Sequence, residues 1–165
     1  MQHVQTRSTT SALVLTAVLI ALATLFTMYT KIPVPGIRGY FNVGDVVIMT
    51  SALLLGRKYG AYIGAIGPAL ADLFLGYAVF VPITFVVKGI EGYLVGTVYN
   101  NKTTTSALVA TIVGGIIIVA GYFIAEYFVF DPGVAIAGIL TNTIQAVMSV
   151  IISMILYAIL RKRLR

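Results

Sequence analysis

Six apolar runs, most of them near the length that crosses a bilayer, take up nearly the whole of this sequence. A helix rises 1.5 Å per residue, so roughly 20 apolar residues cross the hydrocarbon layer. The runs are continuously apolar, whereas a membrane strand alternates apolar and polar residues over about 10 positions. The sequence therefore predicts an all-α integral membrane protein, a six-transmembrane-helix bundle that forms a single membrane domain over residues 1–165. The predicted helices are 11–29, 43–55, 59–79, 82–99, 106–130 and 134–160.

The charges mark the ends of these runs. The chain carries a net charge of +6, but 59% of its residues are hydrophobic and only 10% are charged, which favours a membrane over nucleic acid as its surroundings. With the amino terminus inside, the outer segments hold only Lys31 and Arg38. The positive-inside rule then predicts that both termini are cytoplasmic. The inner segments hold the other basic residues outside the helices: Arg7, Arg57, Lys58, Lys102, Arg161, Lys162, Arg163 and Arg165.

The sequence lacks the usual signatures of catalysis. It has no cysteine, and its single histidine, His3, has no second metal ligand nearby in sequence. No phosphate-binding glycine loop, zinc-protease motif or serine-hydrolase motif is present. We therefore predict that the chain is not an enzyme and has neither catalytic residues, nor a metal, nor a cofactor. Transport against a gradient would require ion coupling or a partner that hydrolyses ATP.

Lys88 and Glu91 lie within the fourth apolar run. Each costs about 2.5 to 3.5 kcal/mol near a helix centre on insertion scales, so such residues usually face a protein interior or a wet cavity. Three positions apart, they lie on one helix face. Two interpretations stay open: an internal ion pair that fixes helix packing, or part of a ligand site.

Other polar residues are predicted at a similar depth in the outer half of the membrane. Counted from the outer helix ends, Asp72 lies roughly 11 Å deep, and Asn142 and Gln145 roughly 12 and 17 Å deep. Asn142, Gln145, Ser149 and Ser153 form a polar stripe that either hydrogen-bonds a neighbouring helix or lines a cavity. The loop of residues 31–42, rich in Pro, Gly and aromatic residues, is predicted to form a lid, with an ordinary linker as the alternative.

Four further features have local interpretations. Asp45 is predicted to cap the second helix, and Glu126 to extend to the membrane interface. Tyr122 belongs either to an aromatic belt or to the rim of a site. Pairs of small residues four apart form flat helix faces that favour close packing: Ala17 and Ala21, Gly60 and Gly64, Gly92 and Gly96.

Three stretches carry a resemblance that covers nearly the whole chain. They are Ala17-x-x-x-Ala21, "FNVGDVVIMTSALLLGRKYGAYIGAIGPALADLFLG" from Phe41 to Gly76, and "KGIEGYLVG" from Lys88 to Gly96. Together they resemble the S component, the substrate-binding membrane subunit, of an energy-coupling factor (ECF) vitamin transporter. The chain looks closest to members that handle hydroxymethylpyrimidine or vitamin B6 forms such as pyridoxine.

The resemblance implies a subunit of an ABC-type importer in the bacterial cell membrane. Such a subunit captures a small heteroaromatic vitamin from outside and delivers it by reorienting in the membrane. Its partners are a transmembrane coupling subunit, met here by Ala17 and Ala21, and two cytoplasmic ATPases. The implied ligand-binding residues lie under the loop after the first helix: Lys88, Glu91, Asn142, Gln145, Asp72 and, by stacking, Tyr40 or Phe41.

Two other functional classes remain as alternatives. A structural membrane scaffold of a cell-shape complex would use the polar layer for packing and would bind no ligand. A self-sufficient ion-coupled carrier would move solute in liposomes without any partner subunit.

Overall fold

The structure, a computed structural model, describes residues 9–33, 40–99 and 103–163 of the chain. These residues are helical apart from short turns and two strands of two residues each, β1 (Ile32–Pro33) and β2 (Tyr40–Phe41), which pair antiparallel with Ile32 opposite Phe41. The described helices are α1 (Thr9–Tyr29), α2 (Asp45–Leu55), α3 (Arg57–Phe74), α4 (Phe80–Val98), α5 (Thr104–Val129) and α6 (Pro132–Arg163).

Each of the six predicted helices corresponds to a helix in the structure. Most ends agree within two or three residues, but α3 ends at Phe74, whereas the sequence predicted Val79. Gly76 has a φ of +82°, a left-handed conformation that ends the helix and begins the turn into α4. Gly56, with a φ of +90°, makes the break between α2 and α3. The apolar character of residues 75–79 had masked the turn.

Four of the described helices, α1, α4, α5 and α6, are long and apolar enough to cross a membrane. α2 is apolar but has only 11 residues. The described chain is therefore an all-helical membrane protein with four candidate spans. The six-span count and the cytoplasmic location of both termini stay predictions.

α2 lies at the centre of the bundle. It contacts α1, α3, α4, α5 and α6, and every residue from Asp45 to Leu53 is buried. A helix that is apolar on all sides is typical of an interior position, which explains how so short a helix is held in place. Its first residue, Asp45, is consequently placed inside the bundle.

The glycine pairs of α3 and α4 allow these two helices to approach each other closely. The position that a Cβ would take at Gly60 lies 2.6 Å from the carbonyl oxygen of Gly92, and a Cβ at Gly92 would overlap the carbonyl of Gly60. A Cβ at Gly64 would likewise overlap the carbonyl oxygen of Lys88. These pairs pack internally, and they bring the backbone of α4 directly against α3.

We expect Gly92→Ala to separate α3 from α4 and to destabilise the bundle by about 1–3 kcal/mol, the usual cost of overpacking. The new methyl group has no space, because the atom it meets belongs to the Gly60 backbone. Thermal unfolding in detergent, followed by far-UV circular dichroism, measures the effect. Gly89→Ala is the comparison, since its added carbon would meet the Ala65 methyl at 3.1 Å. Equal melting temperatures for the two variants would contradict a backbone contact at Gly92.

Candidate functional site

A polar cavity of about 40 Å³ lies in the interior and is lined by residues from α1, α3, α4, α5 and α6. That volume has room for roughly three water molecules. Four of the predicted site residues contribute to its wall: Asp72, Lys88, Asn142 and Gln145. The sequence had thus predicted side chains from three helices that the fold does bring together.

Lys88 is the centre of a buried hydrogen-bond network. Its ammonium group donates to Asp45 Oδ1, and both side chains are almost completely buried. The other oxygen of Asp45 accepts a hydrogen bond of 2.7 Å from Gln145 Nε2. Gln145 Oε1 in turn accepts from the backbone N–H of Asn42 at 3.0 Å. The network joins α4, α2, α6 and the segment before α2, so it fixes the position of Lys88 in the cavity wall.

Glu91 lies behind Lys88. Its Oε2 is 3.6 Å from Lys88 Nζ, its side chain is fully buried, and neither carboxylate oxygen has a hydrogen-bond partner among the described residues. It is not among the described residues of the cavity wall. The two interpretations of the Lys88 and Glu91 pair therefore combine: the charges pair internally, and only Lys88 of the two reaches the cavity. Direct contact of Glu91 with a ligand stays a prediction.

The prediction that Asp45 caps α2 is right only for its charge: the carboxylate lies in the first turn of α2, at the positive end of the helix dipole. Its carboxylate makes no hydrogen bond to the backbone N–H groups of the helix, because both oxygens are taken by Lys88 and Gln145. Asn42 fixes the turn before α2 instead, since its Oδ1 accepts from the N–H of Gly44 at 2.8 Å. Asp45 is thus part of the charged network and holds Lys88 in place.

Glu126 does not extend to the membrane interface as predicted. It lines the cavity and is only 3% exposed, because α6 covers it at Gly138. Its Oε2 has no hydrogen-bond partner among the described residues. The prediction failed because it considered only the distance from the helix end and not the helix that packs across it.

Tyr122 lies in the cavity wall, which decides between the two sequence-based interpretations. Its hydroxyl is 2.9 Å from Thr84 Oγ1, and its ring centroid is 5.4 Å from Lys88 Nζ. The face of an aromatic ring attracts a cation at such a distance. Tyr122 therefore stabilises the ammonium group of Lys88 from within the cavity wall.

Asp72 is nearer to its helix end than predicted. Because α3 ends at Phe74, Asp72 belongs to the last turn of that helix, and the predicted depth of about 11 Å below Val79 is wrong. The side chain is nevertheless buried and lines the cavity. It adds a second carboxylate to the wall beside that of Glu126.

The polar stripe of α6 has both of the predicted roles. Asn142 and Gln145 line the cavity, whereas Ser149 and Ser153 are fully buried deeper in the bundle. Ser153 Oγ donates to the carbonyl oxygen of Val46 at 3.4 Å. The stripe therefore holds α6 against α2 and supplies amide groups to the cavity.

The predicted lid is only partly described. Its base is fixed by the β1 and β2 pair and by a 3.0 Å hydrogen bond from the N–H of Val43 to Thr30 Oγ1. Residues 34–39 and the side chains of Tyr40 and Phe41 lie outside the described part of the chain. Stacking of Tyr40 or Phe41 on a ligand stays a prediction.

The described residues hold no cluster of three or more histidine or acidic side chains that could bind a metal. The donor and acceptor groups of the wall are carboxylates, amides, hydroxyls and one ammonium group. Such a set is chemically suited to a small polar organic molecule, because each type of group pairs with a different hydrogen-bonding atom.

One family model and two curated relatives match most of this chain. A family model described as "ECF-type riboflavin transporter, S component" matches residues 7–162. The chain is 41% identical over 144 residues to a Pyrococcus woesei protein described as "uncharacterized protein in gap 3'region", covering 86% of this chain and 95% of that one. It is 30% identical over 149 residues to the thiamine precursor transporter HmpT of Lactococcus lactis subsp. cremoris, covering 89% and 83%.

The fold has a solved counterpart as well. A structure described as that of the S component of a bacterial ECF transporter superimposes with a TM-score of 0.77 at 20% identity. The match covers 94% of this chain and 98% of the other.

Proposed function

This chain belongs to the family of ECF-type riboflavin transporter S components, and from that premise we propose that it captures a small heteroaromatic vitamin or vitamin precursor outside the cell membrane. We propose one of two ring types for this ligand: a pyrimidine, as in hydroxymethylpyrimidine, or a pyridine, as in pyridoxine. The relative HmpT, a thiamine precursor transporter, supports the pyrimidine.

The observation that carries the proposal is the organised polar cavity inside an apolar bundle. Burying Lys88, Asp45 and Gln145 is costly unless each is paired, and the structure pairs them with one another. A scaffold helix bundle has no need of a cavity beside such a network. A binding protein does, because fixed polar groups orient a ligand with little loss of entropy.

The wall offers complementary groups to a polar heteroaromatic ring. Asn142 has an amide that both donates and accepts, Lys88 donates, and Asp72 accepts. Gln145 uses its amide on Asp45 and Asn42, so its main contribution is to hold the network in position.

We propose that a transmembrane coupling subunit and two cytoplasmic ATPases drive delivery, as the family resemblance implies. The chain shows no nucleotide-binding motif of its own.

We further propose six spans with both termini inside. Support comes from the position of Arg57 and Arg161 near the same end of the bundle, the end of α4. A Cβ at Gly96, near that end, would touch the Arg57 backbone. Arg161 lies over the ring of Tyr157, which contacts Tyr99 just after α4. Because the chain has no cysteine, labelling of single introduced cysteines in intact cells tests this orientation directly.

The decisive experiment measures ligand binding to the purified protein. Native mass spectrometry after gentle purification, followed by titration calorimetry with hydroxymethylpyrimidine and pyridoxine, should reveal a bound ring of one of these types. Asn142→Ala should weaken binding about 10-fold or more, the cost of one well-placed polar contact. Thr143→Ala is the matched control, because Thr143 is exposed on the same helix and lies outside the described cavity wall. Failure of the wild-type protein to bind any such ring would contradict the proposal.

A further inference from the structure

The interior of this basic protein is acidic. The chain has 11 basic and 5 acidic residues. Four of the acidic side chains are buried, Asp45, Asp72, Glu91 and Glu126, whereas Lys88 is the one buried cation among the described residues. Four carboxylates and one ammonium group have a formal charge of −3. In an apolar bundle, such an excess is costly unless the carboxyl groups hold protons or meet hydrogen-bond donors.

Lys88 forms no ion pair with Glu126. Its short contact is with Asp45, and its second contact, at 3.6 Å, is with Glu91. Glu126 is in no ion pair with a described residue, and its Oε2 has no hydrogen-bond partner there. The ion network at Lys88 is therefore paired internally, whereas Glu126 gives the cavity wall a buried acceptor that is in no ion pair with a described residue.

Glu126 is held at the cavity by the shape of α6. A Cβ at position 138 would overlap Glu126 Oε2, so the absence of a side chain at Gly138 leaves the space that the carboxylate occupies. Asn142 Nδ2 lies 3.5 Å from the same Cβ position. Glu126 and Asn142 therefore border one small region of the wall. A ligand there would meet an acceptor from α5 and an amide from α6.

We infer that Glu126 determines substrate class by accepting hydrogen bonds from an amino group on a weakly basic heteroaromatic ring, such as a 4-aminopyrimidine. This inference rests on the proposed function and narrows it. An aminopyrimidine presents an N–H donor beside a ring nitrogen: the N–H donates to one carboxyl oxygen, and a single proton, held by the ring nitrogen or by the carboxyl group, joins that nitrogen to the other oxygen. A ligand with a phosphate or carboxylate at this position would add a negative charge to an acidic wall.

The test compares two ligands that differ at one group: 4-amino-5-hydroxymethyl-2-methylpyrimidine and its 4-oxo analogue, in which a carbonyl oxygen replaces the amino group. We expect the wild-type protein to prefer the amino compound by about 10-fold or more. Glu126→Gln should remove most of this preference, because its amide donates to the oxo group as well as accepting from the amino group. Asp131→Asn, the same change at the exposed acidic residue of the α5–α6 turn, should leave it intact. Gly138→Ala should weaken binding of the amino compound by displacing the carboxylate.

The outcomes separate this inference from the proposed function. Equal binding of both ligands by the wild-type protein, or an unchanged preference in Glu126→Gln, would overturn the role of Glu126 while the binding function stands. Tighter binding of pyridoxal phosphate than of either pyrimidine would overturn the inference in the same way. If the wild-type protein bound no heteroaromatic compound at all, both would fail. A change in preference cannot come from partial unfolding alone, which would weaken the two ligands together.

Discussion

Lys88→Met is expected to abolish ligand binding and to destabilise the bundle by about 3–5 kcal/mol, the range found when one partner of a buried ion pair is removed. The variant would leave Asp45 and Glu91 buried without a cation, and only Gln145 would still donate to Asp45. Far-UV circular dichroism during heating measures the loss of stability, and calorimetry measures the loss of binding. Lys58→Met is the matched control, because Lys58 is exposed at the start of α3.

A second substitution tests the physical reason. Asp45→Asn removes one of the stranded carboxylates, so Lys88→Met combined with Asp45→Asn should unfold at a higher temperature than Lys88→Met alone. Pairs in direct contact show interaction energies of about 0.5–3 kcal/mol in such cycles. An unchanged melting temperature for Lys88→Met would show that the ion network contributes nothing to folding. Strictly additive effects would show that Lys88 and Asp45 are not coupled.

The sequence predicted most of the helices because periodicity and length decide them locally. The apolar runs between polar breaks fix the six helices to within a few residues, and the glycine pairs predicted their close contacts. Lys88, Asn142 and Gln145 could be assigned to a site because a polar side chain within a membrane helix is energetically costly unless it pairs with another group or faces a cavity. This cost applies to each polar residue separately, so it can be recognised in the sequence without knowing which residues lie nearby in the fold.

The partners of these residues could not be predicted in the same way. Asp45 at the start of a helix is indistinguishable from a cap until α2 is known to begin inside the bundle. Glu126 is indistinguishable from an interfacial residue until α6 is known to cross it at Gly138. A signal was nevertheless available: four of the five acidic residues lie in or at the start of apolar runs, whereas most basic residues lie outside them. That asymmetry of the sequence by itself indicates an acidic interior.

We expect the second large effect, on assembly with the coupling subunit, from substitutions on the outer surface of α1. Ala17 and Ala21 are both exposed on one face of the helix. Large apolar side chains on the same helix, Leu13, Val14 and Val18, are 57–64% exposed. Small residues let another helix approach closely in a membrane, so this face is suited to the coupling subunit that we propose as partner.

Ala17→Trp or Ala21→Trp is therefore expected to reduce copurification of the coupling subunit by about 10-fold or more, equivalent to at least ~1.4 kcal/mol of lost association free energy. The bulky ring prevents close approach, but neither position lies in the described cavity wall, so ligand affinity should stay that of the wild type. Ala120→Trp, another exposed site, should leave assembly intact because it lies on α5, a helix that does not contact α1. Normal assembly of both α1 variants would show that the partner binds elsewhere. Parallel loss of ligand affinity and assembly would instead indicate that the tryptophan disturbs the packing of α1 against α3.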